Sequence, residues 1–545
     1  MVQVQQRVLA LALLLLVPAS ARKFYPDDPL ERMPKPRRVT KATYRPVNQT
    51  YDYFANTFAK QSVIHARANT TPAGNLNTLD EVPDSPWFVN RHARQPMPLE
   101  DLLRGPGRNE PPSTSEPWLV NAFKRNGESP GLLIQDSAGR EYMLKFDTPQ
   151  HPELASAAEV IGAKFFHAMG YNVPDNYVVQ FSASQLKSAP GAVLELPGRG
   201  RRPMSDSDIR TFLRLEAYER DGVYRGVASR LIPGDWLGPF RFSGTRSDDP
   251  NDTVPHEHLR ELRGLMIPSA WLNHTDIHAP NTLDTLIEDG PLRYIRHYLI
   301  DFGSILGSDG ITAKSPRSGY ENLLEPRRAA LEMVTLGGWI PYWARATYPE
   351  IRGVGRFQSR IFDPAKWRST YPVTPFEYAR PDDTYWGAKL VMAFREPEIR
   401  AILSTGQYSD PQAVEWLTRC LMERREKIGK LYLERVLPID YFHVRDQKLE
   451  FRDLSVENGF LAPRTYRYRW FRFDNEGEEP SADEDDERRE YVEGNTNAIP
   501  KVLVNAEPET YSGVEIHAGD TRFRVTVYFR KHAGRLRLAG VERYW

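Results

Sequence analysis

The chain has a single cysteine, Cys420, in 545 residues, so no intrachain disulfide can form, although export usually leads to an oxidising compartment. Acidic and basic residues number 72 each, which removes any global pull toward nucleic acid or an anionic membrane. Beyond the N-terminal segment no stretch approaches the ~20 apolar residues of a spanning helix. The patterns GxSxG and HExxH are missing, as is a Cys/His metal cluster, so a secreted hydrolase ranks last among the functions considered. No internal repeat occurs.

What is present begins with a leader. Arg7 precedes an apolar run over residues 8–17, followed by PASA, with Ala19 and Ala21 in the small-x-small cleavage pattern. The expectation is a signal peptide over 1–21, a mature chain from near Arg22 without a transmembrane helix, and no lipid anchor, since no Cys follows the cleavage site. With one cysteine, a bacterial periplasm or cell surface fits better than an animal secretory route. The Asn-x-Thr sequons at Asn48, Asn69, Asn251 and Asn273 read as accidental, because a glycan at Asn273 would sit against a loop proposed below as catalytic. Residues 22–117, rich in Pro and Asn, form an extension expected to wrap a core, with YDYFANTF (51–58) as its most helical part.

Two short stretches carry the chemistry, HTDIHAPN (274–281) and LIDFGS (299–304). Between them lie an apolar run, a Gly and Pro turn signal in EDGPL, and a second run rich in aromatic and β-branched residues, which predicts a hairpin. Antiparallel pairing sets the start of one strand beside the end of the other, so Asn281 and Asp301 should meet at its open end. A carboxylate and an amide oxygen placed there can share a hard cation with substrate phosphates. Asp276 lies on the loop entering the hairpin, where it can orient or deprotonate a hydroxyl.

At these residues the chain resembles the protein-kinase-like superfamily. Asp276 and Asn281 fit the catalytic-loop spacing, and Asp301-Phe302-Gly303 fits the metal-binding DFG. DIHAPN looks closer to the atypical branch of phosphatidylinositol, HipA-type and secretory-pathway kinases, because His278 stands where ordinary protein kinases carry Lys. The resemblance implies ATP with Mg²⁺ (or Mn²⁺), with Asp276 as the catalytic residue that orients the acceptor hydroxyl or accepts its proton, and Asn281 and Asp301 as metal ligands.

The upstream chain supplies the remaining parts in order. Residues 118–147 read as three strands, with Lys145 in the third as the candidate phosphate lysine. HPELASAAEVIGAKFFHAMG then reads as a helix stopped at Gly170, with Glu159 as its central acid and partner for Lys145. Gly162 and Ala163 would let that face approach the sheet closely. Between the first two strands, KRNGESPG (124–131) is the candidate phosphate loop, with Gly127 and Gly131 but without the three-Gly pattern. An adenine is expected against residues 229–232. Residues 256–274 read as one amphipathic helix, with Leu259, Leu262, Met266 and Ser269 on its stripe. GTRSDDPND (244–252) reads as a solvated insertion.

Helices dominate residues 383–442, and beyond them the pattern turns to strands. YRYRWFRF (466–473) and RFRVTVYFR (522–530) alternate with period two, which gives one wet and one buried sheet face rather than a nucleic-acid surface. NEGEEPSADEDDERRE (475–490) reads as a solvated loop. The expected fold is α+β, a two-lobed protein-kinase-like core with an N-terminal extension and a C-terminal all-β sandwich-like module. Its divisions are 1–21, 22–117, 118–240, 241–442 and 443–545. The expected function is an exported phosphotransferase using ATP on a protein, lipid or sugar acceptor. The alternative is an inactive kinase-like envelope protein that binds a partner.

Overall fold

The computed structural model describes residues 22–58, 71–124, 129–196, 200–336, 338, 340–477, 479–480 and 488–545. The leader and Gly127 lie outside them. The chain divides into two compact units, one of Arg32–Asn75 and Val82–Leu433, the other of Glu434–Trp545 with Leu76–Glu81 and the residues up to Glu31. The fold is α+β: a sheet lobe and a helical lobe in the larger unit, and a C-terminal all-β region. Among the described residues no helix is long and apolar enough to cross a membrane.

In the larger unit, strands β1 (Trp118–Phe123), β2 (Gly131–Gln135) and β3 (Glu141–Phe146) form an antiparallel meander. Helix α1 (Ala155–Met169) follows, then β4 (Asn176–Ser182), β5 (Leu186–Ser188) and β6 (Val223–Arg230). The sheet order is β4-β6-β3-β2-β1-β5. Alternation decides its faces. Tyr142, Leu144 and Phe146 join Trp118, Val120, Leu132 and Ile134 in one apolar core, so Lys145 and Met143 face the other way. Asp147 turns the chain into α1, its carboxylate accepting the Glu153 and Ser156 amides at 3.0 and 2.8 Å. Gly170 ends the helix at φ 121°, against the ring of Phe88.

The short β7 (Asp235–Trp236) leaves the sheet lobe and joins a hairpin formed later in the chain. Residues 256–274 are not one amphipathic helix. They break into a 3-10 turn, α2 (Arg260–Gly264) and α3 (Met266–Leu272), and nearly every residue of α2 and α3 is buried, charged ones included. Arg260 and Arg263 can be buried because Asp382 and Asp383, opening α4 (Pro381–Met392), neutralise them. Gly264 and Gly387 let these helices cross closely: a Cβ on Gly264 would lie 2.6 Å from the Trp386 ring. Helices α5 (Glu396–Ser404) and α6 (Pro411–Tyr432) complete the lobe.

The acidic segment 244–252 is likewise no solvated insertion. Arg246, Asp249 and Asp252 are buried. Arg246 pairs with Asp284 at 3.0 Å, and Asp252 with His256 at 2.8 Å. Arg246 and Asp252 are buried because partners beyond the loop, Asp284 and His256, meet them there.

In the smaller unit, β10 (Ile439–Arg445) and β11 (Lys448–Asp453) pair in one sheet, and β12 (Thr465–Asp474), β13 (Tyr511–His517), β14 (Arg524–His532) and β15 (Arg535–Tyr544) in another. Both sheets feed one apolar core that includes Ile439, Phe451, Trp470, Val514 and Val527. Period-two alternation holds on β12, where Tyr466, Tyr468 and Trp470 are buried and Arg467 exposed. The charged segment expected as a loop ends as strand instead: Arg488–Glu493 pairs along Thr465–Trp470 of β12.

Candidate functional site

The hairpin of β8 (Thr282–Asp289) and β9 (Leu292–Leu299) is regular, from Thr282↔Leu299 at its open end to Asp289↔Leu292. One residue beyond that end the Ile300 N–H donates to the Asn281 carbonyl at 3.0 Å. Asn281 and Asp301 therefore leave the ladder side by side. The loop before it is pinned at both ends. Asn273 stops α3 in the left-handed region at φ 55°. Its buried amide oxygen accepts from Trp367 Nε1 at 3.0 Å, which leaves no place for a glycan.

Asp276 and Asn281 form a local pair. Asn281 Nδ2 donates to the Asp276 carbonyl at 2.8 Å and to its Oδ2 at 2.9 Å. His278 Nε2 lies 3.3 Å from the other carboxylate oxygen, and its ring stacks on Tyr371 at 4.6 Å. The Asp276 side chain remains 34% exposed, so a carboxylate of fixed direction stays open to solvent.

Lys145 is the hinge of the second cluster. Its Nζ lies 2.9 Å from Asp301 Oδ1 and 3.3 Å from Glu159 Oε2. Burial acts to lower its ammonium, but Asp301 and Glu159 outweigh it and hold the group above the ordinary lysine range. Burial raises the Glu159 carboxyl even against Lys145. Burial also acts to raise Asp301, yet Lys145 holds it below the usual carboxylate range. Asp301 keeps 41% of its side chain exposed, and its second oxygen has no donor among the described residues.

Glu159 ties this cluster to the turn after Asp301. Its Oε1 accepts the Phe302 N–H at 3.2 Å and Asn176 Nδ2 at 3.4 Å. Phe302 is fully buried, stacked on Phe166 at 5.0 Å and tilted against His274 at 5.8 Å. Gly162 makes this possible in a way the sequence reading misplaced: it admits not the sheet but Phe302, whose Cβ would lie 2.5 Å from a Cβ on Gly162. Asp301 itself has φ 63°, a left-handed conformation that turns its carboxylate back toward Lys145.

The phosphate-loop residues divide. Gly127 lies outside the described residues. Gly131 pairs across the sheet with Lys145, while its carbonyl accepts the Lys124 N–H at 2.8 Å. Lys124, Gly131 and Lys145 thus form a cross-strand row, and a Cβ on Gly131 would meet the Lys124 side chain at 3.2 Å and the Leu144 carbonyl at 2.9 Å. The glycine provides room for a second lysine. Lys124 senses Lys145, Asp301 and Glu159, and burial followed by Lys145 lowers its ammonium from the ordinary range. Counting the hairpin register from Gly131 would have found it.

Two further residues had no sequence signal. Lys314 is fully buried, donating to Thr275 Oγ1 at 2.8 Å and Ser304 Oγ at 3.0 Å. It therefore ties together the residue before Asp276 and the turn after Asp301. Burial pulls its ammonium below the ordinary range, against the pull of Asp309 and Asp276. His274, also buried, is pushed down to about 3 by burial and Lys314, so it stays neutral at physiological pH. Among the described residues no group of three or more His, Cys, Asp or Glu side chains forms a metal cage.

No protein-family model matches the sequence, and no curated protein matches it. Among solved structures the chain is similar to the Helicobacter pylori proinflammatory kinase CtkA, at 11% identity and TM-score 0.33, over 60% of this chain and 98% of that one. It is also similar to the Golgi casein kinase with Mn/ADP bound, at 8% identity and TM-score 0.30, over 77% and 94% of the two chains. A second Golgi casein kinase structure aligns at 9% identity and TM-score 0.28, over 75% and 96%. At these identities the alignments leave activity and substrate open.

Proposed function

We propose that the chain is an exported phosphotransferase that moves a phosphoryl group from ATP to a hydroxyl on a protein, lipid or sugar. The observation that carries this reading is Lys145 Nζ bridging Glu159 and Asp301, beside a hairpin mouth where Asp276 and Asn281 are locked together. Asp301 offers one oxygen without a protein donor among the described residues. Asn281 spends its NH₂ on Asp276, which leaves the amide oxygen for a cation and for His278. These donors fit Mg²⁺ or Mn²⁺, which would neutralise charge on the phosphates.

Lys145, fixed by Glu159, steadies phosphate oxygens, and Lys124 adds a second positive charge from the neighbouring strand. Asp276 accepts the hydrogen bond of the acceptor hydroxyl and orients its oxygen on the terminal phosphorus. A new P–O bond then forms there, the bond to the bridging oxygen breaks, and ADP leaves. The acceptor proton passes to Asp276 and on to solvent. Asn281 and His278 keep that carboxylate aimed.

The test is the purified mature chain with ATP and Mg²⁺ or Mn²⁺, read by thermal shift and by mass analysis of an acceptor panel. Nucleotide-dependent stabilisation with a phosphate added to an acceptor is the expected result, and both should vanish in Asp301→Ala. Stabilisation with no transfer to any acceptor would favour the binding-protein alternative. Addition of the nucleotide moiety would redefine the transferred group. If neither effect occurs and Asp301→Ala changes nothing, the reading fails.

A further inference from the structure

The larger unit holds a half-open pocket of about 240 Å³ whose lining includes none of the site residues above. Its roof is the segment 33–37 of the N-terminal extension, held by Met33 N–H on the Asp84 carbonyl at 2.9 Å. A reciprocal pair with Asn251 holds the other end, at 2.7 and 3.0 Å. The walls are apolar, with Pro83, Pro86, Pro250 and Val254 beside Trp87, whose ring lies flat on His297 at 3.5 Å. Leu259, Glu261 and Ile295 close the floor.

Three of the polar groups lining it are acids, Asp249, Asp252 and Glu261, and one of these keeps a buried oxygen unsatisfied. Glu261 is 1% exposed. One of its oxygens takes Asn75 Nδ2 at 2.5 Å, and the other has no donor among the described residues. Asp249, 5% exposed, accepts the Asn251 N–H and Nδ2 on a single oxygen, both at 2.9 Å. The nearby cations are committed elsewhere: His297 pairs with Asp284 at 2.7 Å, His256 with Asp252 at 2.8 Å, and Arg260 with Asp382 and Asp383 at 2.7 and 3.1 Å. Lys35 and Arg37 on the roof are exposed. Burial pushes the Glu261 carboxyl up to about 7, the mark of a carboxylate that lacks a cation.

We propose that this cavity is a binding site for a small organic ammonium ion, its apolar body against the proline and tryptophan walls and its N–H groups donating to Glu261 and Asp249. A buried carboxylate oxygen without a donor is costly, and an ammonium supplies both the charge and the hydrogen bonds. The volume lies below the ~300 Å³ at which drug-sized sites begin, so the body is no larger than one ring with a short arm. The site is independent of nucleotide.

The experiment is calorimetric titration of the full mature chain, without nucleotide, with benzylammonium chloride and with benzyl alcohol as its neutral counterpart. Benzylammonium should bind at least ~10-fold more tightly than the alcohol. Asp249→Asn, which keeps the acceptor for Asn251, and Glu261→Gln should each weaken it by ~10-fold or more. Val254→Trp, which fills the cavity, should remove it. Should Glu261→Gln or Val254→Trp fail to fold, Asp249→Asn alone decides. No binding at millimolar benzylammonium, equal binding of the alcohol, or affinity unchanged in Asp249→Asn would overturn the proposal.

Discussion

Arg260 and Arg263 meet Asp382 and Asp383 with no side chain among the four more than 6% exposed, whereas Lys145 meets Glu159 and an Asp301 that is 41% exposed. Both clusters place basic groups between two carboxylates in the same unit. In the first, every carboxylate oxygen is shut away from solvent beside a cation: Asp382 Oδ1 lies 3.5 Å from Arg380 Nε, and Asp383 also accepts the Arg380 N–H at 2.9 Å. In the second, one carboxylate oxygen is held back from the protein. A closed cluster fixes how α2 crosses α4, while an open one keeps binding capacity in reserve. The contrast makes exposure of the acid, more than burial of the base, the sign of a reactive site.

Exchanging the two acids tests that contrast most severely. Asp301→Asn should lower phosphoryl transfer by about 10²–10³-fold, the size expected when one electrostatic contact to a reacting phosphate is lost. It should cost less than about 1 kcal/mol of stability, because the lost partner is partly screened by solvent. Asp383→Ala should do the reverse. It strands two buried guanidiniums and should cost about 3–5 kcal/mol, while the folded fraction keeps its activity. Urea denaturation alongside an initial-rate assay separates the two. Equal stability losses at both positions would erase the distinction.

Much of the open cluster was legible before the structure. Lys145, Glu159, Asp276, Asn281 and Asp301 could be placed because each lies on a strand or helix of plain periodicity, or directly beside one. The hairpin register then brings Asn281 next to Asp301. The closed cluster was not legible. Arg260 and Arg263 look like the wet face of an amphipathic helix, and only Asp382 and Asp383, over a hundred residues on, make their burial possible. The same failure hid Arg246 and Asp252. Period tells which residues share a face, but whether a charged face is wet depends on partners that sequence proximity does not reveal. Lys314 escaped for the same reason, since its partners Thr275 and Ser304 come from two other segments.

Acid distinguishes the support of the open cluster. His274, packed behind Phe302, is pushed down to about 3 by burial and Lys314, from an ordinary value near 6.5. Between those values the unfolded chain holds one more proton at this residue than the folded chain. Stability is thus fully present above about pH 6.5 and falls as pH falls toward the folded value, by about 1.4 kcal/mol per unit. His167, also pushed down to about 3 by burial, adds a contribution of the same sign, and Glu261, pushed up to about 7, offsets one of the two. Denaturation at about pH 7 and about pH 5 should show this slope. His274→Gln should flatten it by about one proton, and an unchanged slope would mean that His274 protonates in the folded state.

The mildest test uses two glycines, one behind each cluster. A Cβ on Gly162 would lie 2.5 Å from Phe302 Cβ, and one on Gly264 2.6 Å from the Trp386 ring. Either alanine should overpack its helix contact by about 1–3 kcal/mol. The two should part in rate. Moving Phe302 also moves the N–H that holds Glu159 Oε1 at 3.2 Å, and with it the carboxylate that fixes Lys145. Gly162→Ala should therefore slow transfer per folded molecule by about 10-fold, equivalent to about 1.4 kcal/mol, while Gly264→Ala shifts only the denaturation midpoint. Slowing by Gly264→Ala to the same degree would show that the closed cluster also bears on the chemistry, and that exposure of an acid does not separate scaffold from site.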